Sequence, residues 1–199
     1  MPTTHTLMQP AYVRSNLAGT QPLSKGDPNS TAFGCAEDSS QAWLIGDLIY
    51  HDNTDEGLLK ICGTTSSKLN TEVAGQANKA AVGVKNTFVH FRPILPTDIY
   101  AMNVYHSTAA SAITVATQLG KVYGLIYTGG RWHVDIENTT VEDGTTALAA
   151  VRVHGFMERH PMSLVKLAIG DIYGVVLVTF LLDTIATDGS PHTRLLQYA

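Results

Sequence analysis

The sequence predicts an all-β protein, a compact β-barrel or β-sandwich of about seven to ten short strands with an extended N-terminal arm. Three observations predict it. Short β-branched and aromatic runs recur along the chain, each bounded by Gly, Pro, Asn or Asp. No strand is followed by a long helical repeat, so the βαβ pattern of a parallel sheet is absent. The stretch "YTGGRW" places two adjacent glycines, Gly129 and Gly130, between two such runs, as a tight hairpin turn demands.

The elements follow in order. Residues 1–40 carry Pro2, Pro10, Pro22 and Pro28, and their apolar patches "TLM" and "AYV" are isolated. Such a segment cannot build its own core. It is an arm laid along a partner or a terminus without fixed place. Its contact candidates are Leu7, Met8, Tyr12, Val13 and Arg14. The body spans residues 41–183. "AWLIGDLIYHD" and "LLKICGTTS" flank "NTDEG" as a hairpin. "EVAGQANKAAVG" is a helical turn or a loop, and "AAVGVKN" reads as a strand carrying a glycine. "NTFVHFRPIL" alternates, with Phe88 and His90 on one face and Val89 and Phe91 on the other. "DIYAMNVYHS" is a strand, and "TAASAITVATQLG" approaches a sheet corner. After the Gly129–Gly130 hairpin come the turn "TTVEDGTT", the strand "ALAAVRVHGFM" and the loop "ERHPMSLVKLAIGD". The run "AIGDIYGVVLVTFLL" closes the body as a central strand buried on both faces. Residues 184–199 form a polar tail.

That closing run is too short for a membrane helix. Its uninterrupted apolar part, residues 172–182, covers only about half of the roughly 20 residues a span needs. Its opening echoes "LIGDLIY" at residues 44–50. The two phrases diverge immediately afterwards, which favours reuse of one Gly-Asp turn over a duplicated layer.

Composition narrows the function. The chain has 199 residues, a net charge of −4 and only 15% charged residues, against roughly 25% in an average soluble protein. Its 13 basic residues are scattered singly, so nucleic acid is not an expected partner. Cys35 and Cys62 show no metal-ligand spacing, and the N-terminus lacks a secretory pattern, so both read as small buried residues without a bond.

Phosphate-loop, dinucleotide, nucleophile-elbow and zinc-protease motifs do not occur. His133 and Asp135 share a strand face and are the one acid–base candidate pair, although a solvated face explains them more simply. "HDNTDEG" lacks a full calcium loop. Glu137, Glu142 and Asp143 are acidic without a recognisable cleft. No catalytic residue, cofactor site or metal ligand is assigned. Arg131 and Trp132, at the hairpin tip, are surface-contact candidates, with Trp132 folded into the core as the equal alternative.

Four elements carry a family likeness: residues 112–120 ("AITVATQLG"), Tyr123-Gly124, residues 132–135 ("WHVD") and residues 170–180 ("GDIYGVVLVTF"). Together with "GDLIYHDNTDEGLLKICG", they resemble the head decoration, or cement, proteins of tailed bacteriophages. The likeness covers roughly residues 40–182. It implies a protein made in the host cytoplasm that binds the major capsid protein on the outer surface of the virion. It also implies a homotrimer, no catalysis, and no membrane partner. The alternatives are a carbohydrate-binding or other adhesion β module of a virion, using Trp132 and Tyr127, and a β-barrel hydrolase using His133 and Asp135.

Overall fold

The computed structural model describes residues 2–15, 33–52, 57–65, 68–69, 73–95, 97–137 and 149–181. Thirteen strands occur among them: β1 (Ala11–Ser15), β2 (Phe33–Ala36), β3 (Leu48–Asp52), β4 (Leu58–Ile61), β5 (Thr64–Thr65), β6 (Lys68–Leu69), β7 (Gly75–Ala77), β8 (Phe88–Pro93), β9 (Asp98–Tyr105), β10 (Val122–Thr128), β11 (Arg131–Asp135), β12 (Val151–Phe156) and β13 (Val175–Phe180). Two short 3-10 turns lie between β9 and β10. The all-β expectation holds.

The strands close into two rings. In the first, β2, β8, β7, β3 and β4 pair in that order, all antiparallel. A parallel bridge between Glu37 and Leu59 returns β4 to the end of β2, and Asp38 N–H donates to the Leu59 carbonyl at 3.1 Å. Trp43, Ile49, Leu59, Val89 and Phe91 fill it. In the second, β9, β13, β12, β10 and β11 follow one another, and β11 returns to β9 in parallel at Val104 and Tyr105. β1 continues along the other half of the same β9 edge, and β6 and β5 extend from β10.

Period-two alternation fills the second ring. Tyr100, Met102 and Val104 of β9, Leu125 of β10, Trp132 and Val134 of β11, Val151 and Val153 of β12, and Val176, Val178 and Phe180 of β13 form one buried cluster. The outward residues of β9 are buried as well. Ala101 packs with Met8, Leu167 and Val175 in a separate cluster. β9 is therefore covered on both faces, whereas β13 is buried on its inward face and at Val175, with Leu177 and Thr179 half-buried, so the closing run is covered on both faces only in part.

The β10–β11 hairpin matches its sequence signal. Thr128 pairs with Arg131, and Gly129 and Gly130 have φ of 58° and 74°. The β8 alternation also holds, with Phe88 exposed and Val89 and Phe91 buried.

Three expectations are corrected. Residues 80–86, "AAVGVKN", form a loop, not a strand. The buried Glu37 carboxylate takes the N–H groups of Val82 and Val84, which a sheet ladder would otherwise need. The stretch expected to contain a helical turn or a loop, residues 72–83, instead carries strand β7 at Gly75–Ala77, paired with β3 and β8. Residues 11–15 and 33–36 are not outside the body, because β1 pairs with β9 and β2 with β8. Residues 16–32 of the arm, the turn at 139–146 with Glu142 and Asp143, and the tail 184–199 lie outside the described residues.

Candidate functional site

The repeated phrase folds as one turn used twice. At Leu44–Asp47, Asp47 N–H donates to the Leu44 carbonyl at 3.1 Å, and Leu44 N–H donates to Asp47 Oδ2 at 2.8 Å. At Ala168–Asp171, the same two bonds form at 3.1 and 2.8 Å. Gly46 and Gly170 have φ of 93° and 96°, at the turn position where a side chain is disfavoured. The aspartate therefore has to sit one residue after the glycine, where its carboxylate folds back onto the turn.

Each aspartate turns its other oxygen to the N-terminal segment. Gln9 Nε2 donates to Asp47 Oδ1 at 2.8 Å, and Thr3 N–H donates to Asp171 Oδ1 at 3.0 Å. Residues 3–10 are thereby strapped across the molecule. Thr4 bridges Ile172, Met8 N–H donates to Asn103 Oδ1 at 2.8 Å, and Gln76 Nε2 donates to the Pro10 carbonyl at 2.6 Å.

Two histidines bury the start of the strap. His5 Nε2 donates to Asp171 Oδ2 at 2.8 Å, and its ring stacks on His160 with centroids 6.1 Å apart. His160 Nε2 donates to the Thr6 carbonyl at 2.9 Å. Burial pushes the Asp171 carboxyl up, but the bonds from His5, Thr3 and Ala168 outweigh it and hold the pKa below the usual value.

This placement removes Met8 from the arm contacts. Met8 is 1% exposed and lies in the core. Leu7 is half-buried. Tyr12 packs edge-on to Tyr100 at 5.8 Å, with the Arg92 guanidinium 3.2 Å above its ring. Arg14 pairs with Ile99 through its main chain. Of the described candidate side chains, only Val13 is exposed.

Arg131 is exposed, as expected, but Trp132 is 0% exposed inside the second ring. Strand alternation decides this, since Trp132 and Val134 share the inward face. A Trp132–Tyr127 platform for sugars is thus not at the surface.

His133 and Asp135, expected on a solvated face, are both buried. His133 stacks on Tyr105 at 5.9 Å, and Tyr105 stacks on Tyr173 at 6.3 Å. Burial lowers the His133 pKa to about 4, opposed by the Thr128 carbonyl and assisted by the Arg131 charge. Asp135 Oδ1 accepts from Glu137 N–H at 3.1 Å. Both side chains are buried, which places them poorly for proton exchange with a bound substrate.

One other pair merits a chemical test. Cys35 Sγ lies 3.9 Å from His51 Nδ1, but that nitrogen donates to the Gly57 carbonyl at 2.7 Å. It therefore has no lone pair for the thiol, and burial raises the Cys35 pKa. The pair is not an activated nucleophile. Both cysteines are unbonded to one another, as expected. No group of three metal-ligating side chains occurs among the described residues.

The surface that does stand out is apolar. Ile45 and Ile169 occupy the second position of the two Gly-Asp turns and point outward. The chain between Arg159 and Lys166, which bridge each other, carries exposed Met162, Leu164 and Val165, with Met162 at 73%. Ile45, Met162 and Arg131 border a cleft of about 380 Å³ floored by Met8 and Pro10. On the first ring, Val82, Val84 and Phe88 are exposed, Phe88 at 64%. Sequence reasoning missed these residues. Their only signal was an apolar residue inside a turn, which pattern-reading assigns to a neighbouring core.

Comparison with known protein families, curated proteins and solved structures finds no match.

Proposed function

We propose that this chain is a capsid decoration protein that binds the outer surface of a bacteriophage head and stabilises its lattice. In this reading it is made in the host cytoplasm, assembles as a homotrimer and seats on the major capsid protein. The observation that supports it is the set of large apolar side chains held outward on fixed turns. Ile45 and Ile169 are set by aspartate-closed turns, and Val82 and Val84 by the buried Glu37 carboxylate. A contiguous exposed apolar patch is a mark of an interaction surface, and in this reading these side chains contribute to one. Cementing a lattice requires broad, shallow contacts, and turns already fixed in place lose little entropy on docking. The contact therefore belongs to these turns, because Met8 and Tyr12 are engaged inside the molecule.

The test uses heads stripped of accessory protein. Purified chain should cosediment with them in saturable amounts and raise the temperature at which they rupture. Light scattering should give a trimer. A monomer that leaves stripped heads bare at micromolar concentration would sink the reading.

A further inference from the structure

We propose that residues 158–169 form a self-association contact. The apolar tip of this hairpin enters the recess at the base of the same hairpin on a second copy, and Lys166 pairs there with the partner's Glu158. This contact rests on the homotrimer of the preceding reading and is independent of its capsid partner.

The tip is closed on itself. Arg159 and Lys166 bridge each other, and Leu167 N–H donates to the Glu158 carbonyl at 2.9 Å. Beyond the bridge, His160 N–H donates to the Val165 carbonyl and Leu164 N–H to the His160 carbonyl, both at 2.8 Å. Met162 N–H and Ser163 N–H donate to His160 Nδ1, each at 3.3 Å. Pro161 has no N–H, so every main-chain N–H from 160 to 164 is bonded inside the loop. His160 is 1% exposed, and its Nε2 lies 2.9 Å from the Thr6 carbonyl, which ties the loop to the strap. A loop fixed in this way loses little entropy on docking.

This frame holds apolar side chains outward. Met162, Leu164 and Val165 are 73%, 67% and 48% exposed. Leu164 is kept at a φ of 58°, which a leucine disfavours and which asparagine or glycine would accept more readily. Local strain of this kind collects at binding sites.

The recess lies on the same hairpin. Phe156, Met157, Leu167, Ile169 and Val175 line a volume of about 160 Å³, with the exposed Glu158 on its wall. An apolar cavity of roughly 150 Å³ holds a benzene-sized group, so an aliphatic side chain fits. Leu164, exposed as it is, does not fill the recess of its own chain.

Charge selects the occupant. The tip carries Arg159 and Lys166 on its two limbs and no carboxylate between them, whereas the recess carries Glu158. Neither Glu158 nor Lys166 has an ion-pair partner among the described residues. A second copy supplies both complements at once, a cation beside an apolar tip and an acid beside an apolar recess. Tip and recess are different points of one surface, so the contact runs head to tail and closes into a ring.

Light scattering on the purified full chain tests this across the micromolar range, with thermal denaturation as the check on folding. The natural chain should form a trimer that weakens as salt is added. Leu164→Asn should weaken association about thirtyfold or more, the scale of an interface hot spot. It should not lower the melting temperature, because asparagine accepts the positive φ. Lys166→Glu and Glu158→Lys should each weaken association about tenfold or more, and the double swap should restore it. Association untouched by Leu164→Asn overturns the proposal and leaves the homotrimer to another face. A double swap no stronger than the single variants overturns the Glu158–Lys166 pairing. A dimer that these variants dissolve supports the contact and overturns the homotrimer. A monomer throughout overturns both, and adsorption to stripped heads, measured separately, then decides the capsid reading. Adsorption of that monomer lost in Leu164→Asn would assign the tip to the capsid instead.

Discussion

At the scale of single residues, Trp132 and His133 show how one strand step reverses a role. Trp132 faces the interior of the second ring and packs on Tyr127 at 5.1 Å. Trp132→Ala leaves a large cavity there, and calorimetry should show a loss of about 4 kcal/mol in unfolding free energy. An effect below about 1 kcal/mol would place the ring outside the core. His133 points to the other face and is buried neutral, with a pKa lowered from 6.5 to about 4. Between those values the unfolded chain binds a proton that the folded chain refuses. Stability therefore drops as pH falls through that window. The full gap is worth about 3 kcal/mol. His133→Gln should flatten the dependence by up to that amount in denaturant titrations at pH 7 and pH 4. Asp171 acts in a lower window. Its folded pKa is lowered, so its stabilisation is complete above the ordinary 3.8 and is lost as pH falls through the folded value.

At the scale of elements, the glycines of the paired turns separate two kinds of strain. Gly46 and Gly170 share a positive φ, and alanine there costs about 1 kcal/mol in either turn. A Cβ on Gly170 meets nothing within 4 Å, whereas one on Gly46 comes within 3.0 Å of Gln9 Cβ. Gly46→Ala should therefore be the more damaging of the two and should alone loosen Gln9 in exchange measurements. Equal losses would mean that the strap does not press on the first turn. Gly75 in β7 is tighter still, because a Cβ would sit 2.4 Å from the Arg92 carbonyl oxygen and from Phe91 Cδ2. Gly75→Ala has no flexible neighbour to displace. Thermal denaturation should register about 2–3 kcal/mol lost, with the first ring affected.

At the scale of the whole molecule, two small rings are tied together by a strap that neither could hold alone. Asp47 precedes β3 of the first ring, and Asp171 precedes the last strand of the second. The outward apolar turns are not needed for this closure. Ile45→Ser and Ile169→Ser, at the second position of the paired turns, should each change stability by no more than about 0.5 kcal/mol. On the proposed function they weaken trimer formation or adsorption to heads by at least tenfold, about 1.4 kcal/mol. Head binding left intact in the double variant would move the contact to another face.

Much of this was legible in local pattern. Alternation marked β8, adjacent glycines marked the β10–β11 turn, and the length of the closing run ruled out a helical span. The echo "LIGD…AIGD" was readable as a reused turn, because Gly followed by Asp is a local chemical device. Its grip on Thr3 and Gln9 was not readable. Those partners lie 168 and 38 residues away, and no periodicity spans such a gap. The same distance hid β1 and β2, whose short runs look like loop until β9 and β8 pair with them. Burial was decided late as well: Trp132, His133, Met8 and Glu37 change meaning with the layer that covers them. Strand and turn chemistry are set by neighbours within a few residues, so sequence alone settled the all-β class. Ring closure, the strap and the buried histidines depend on contacts between distant segments, and only the folded chain brings those together.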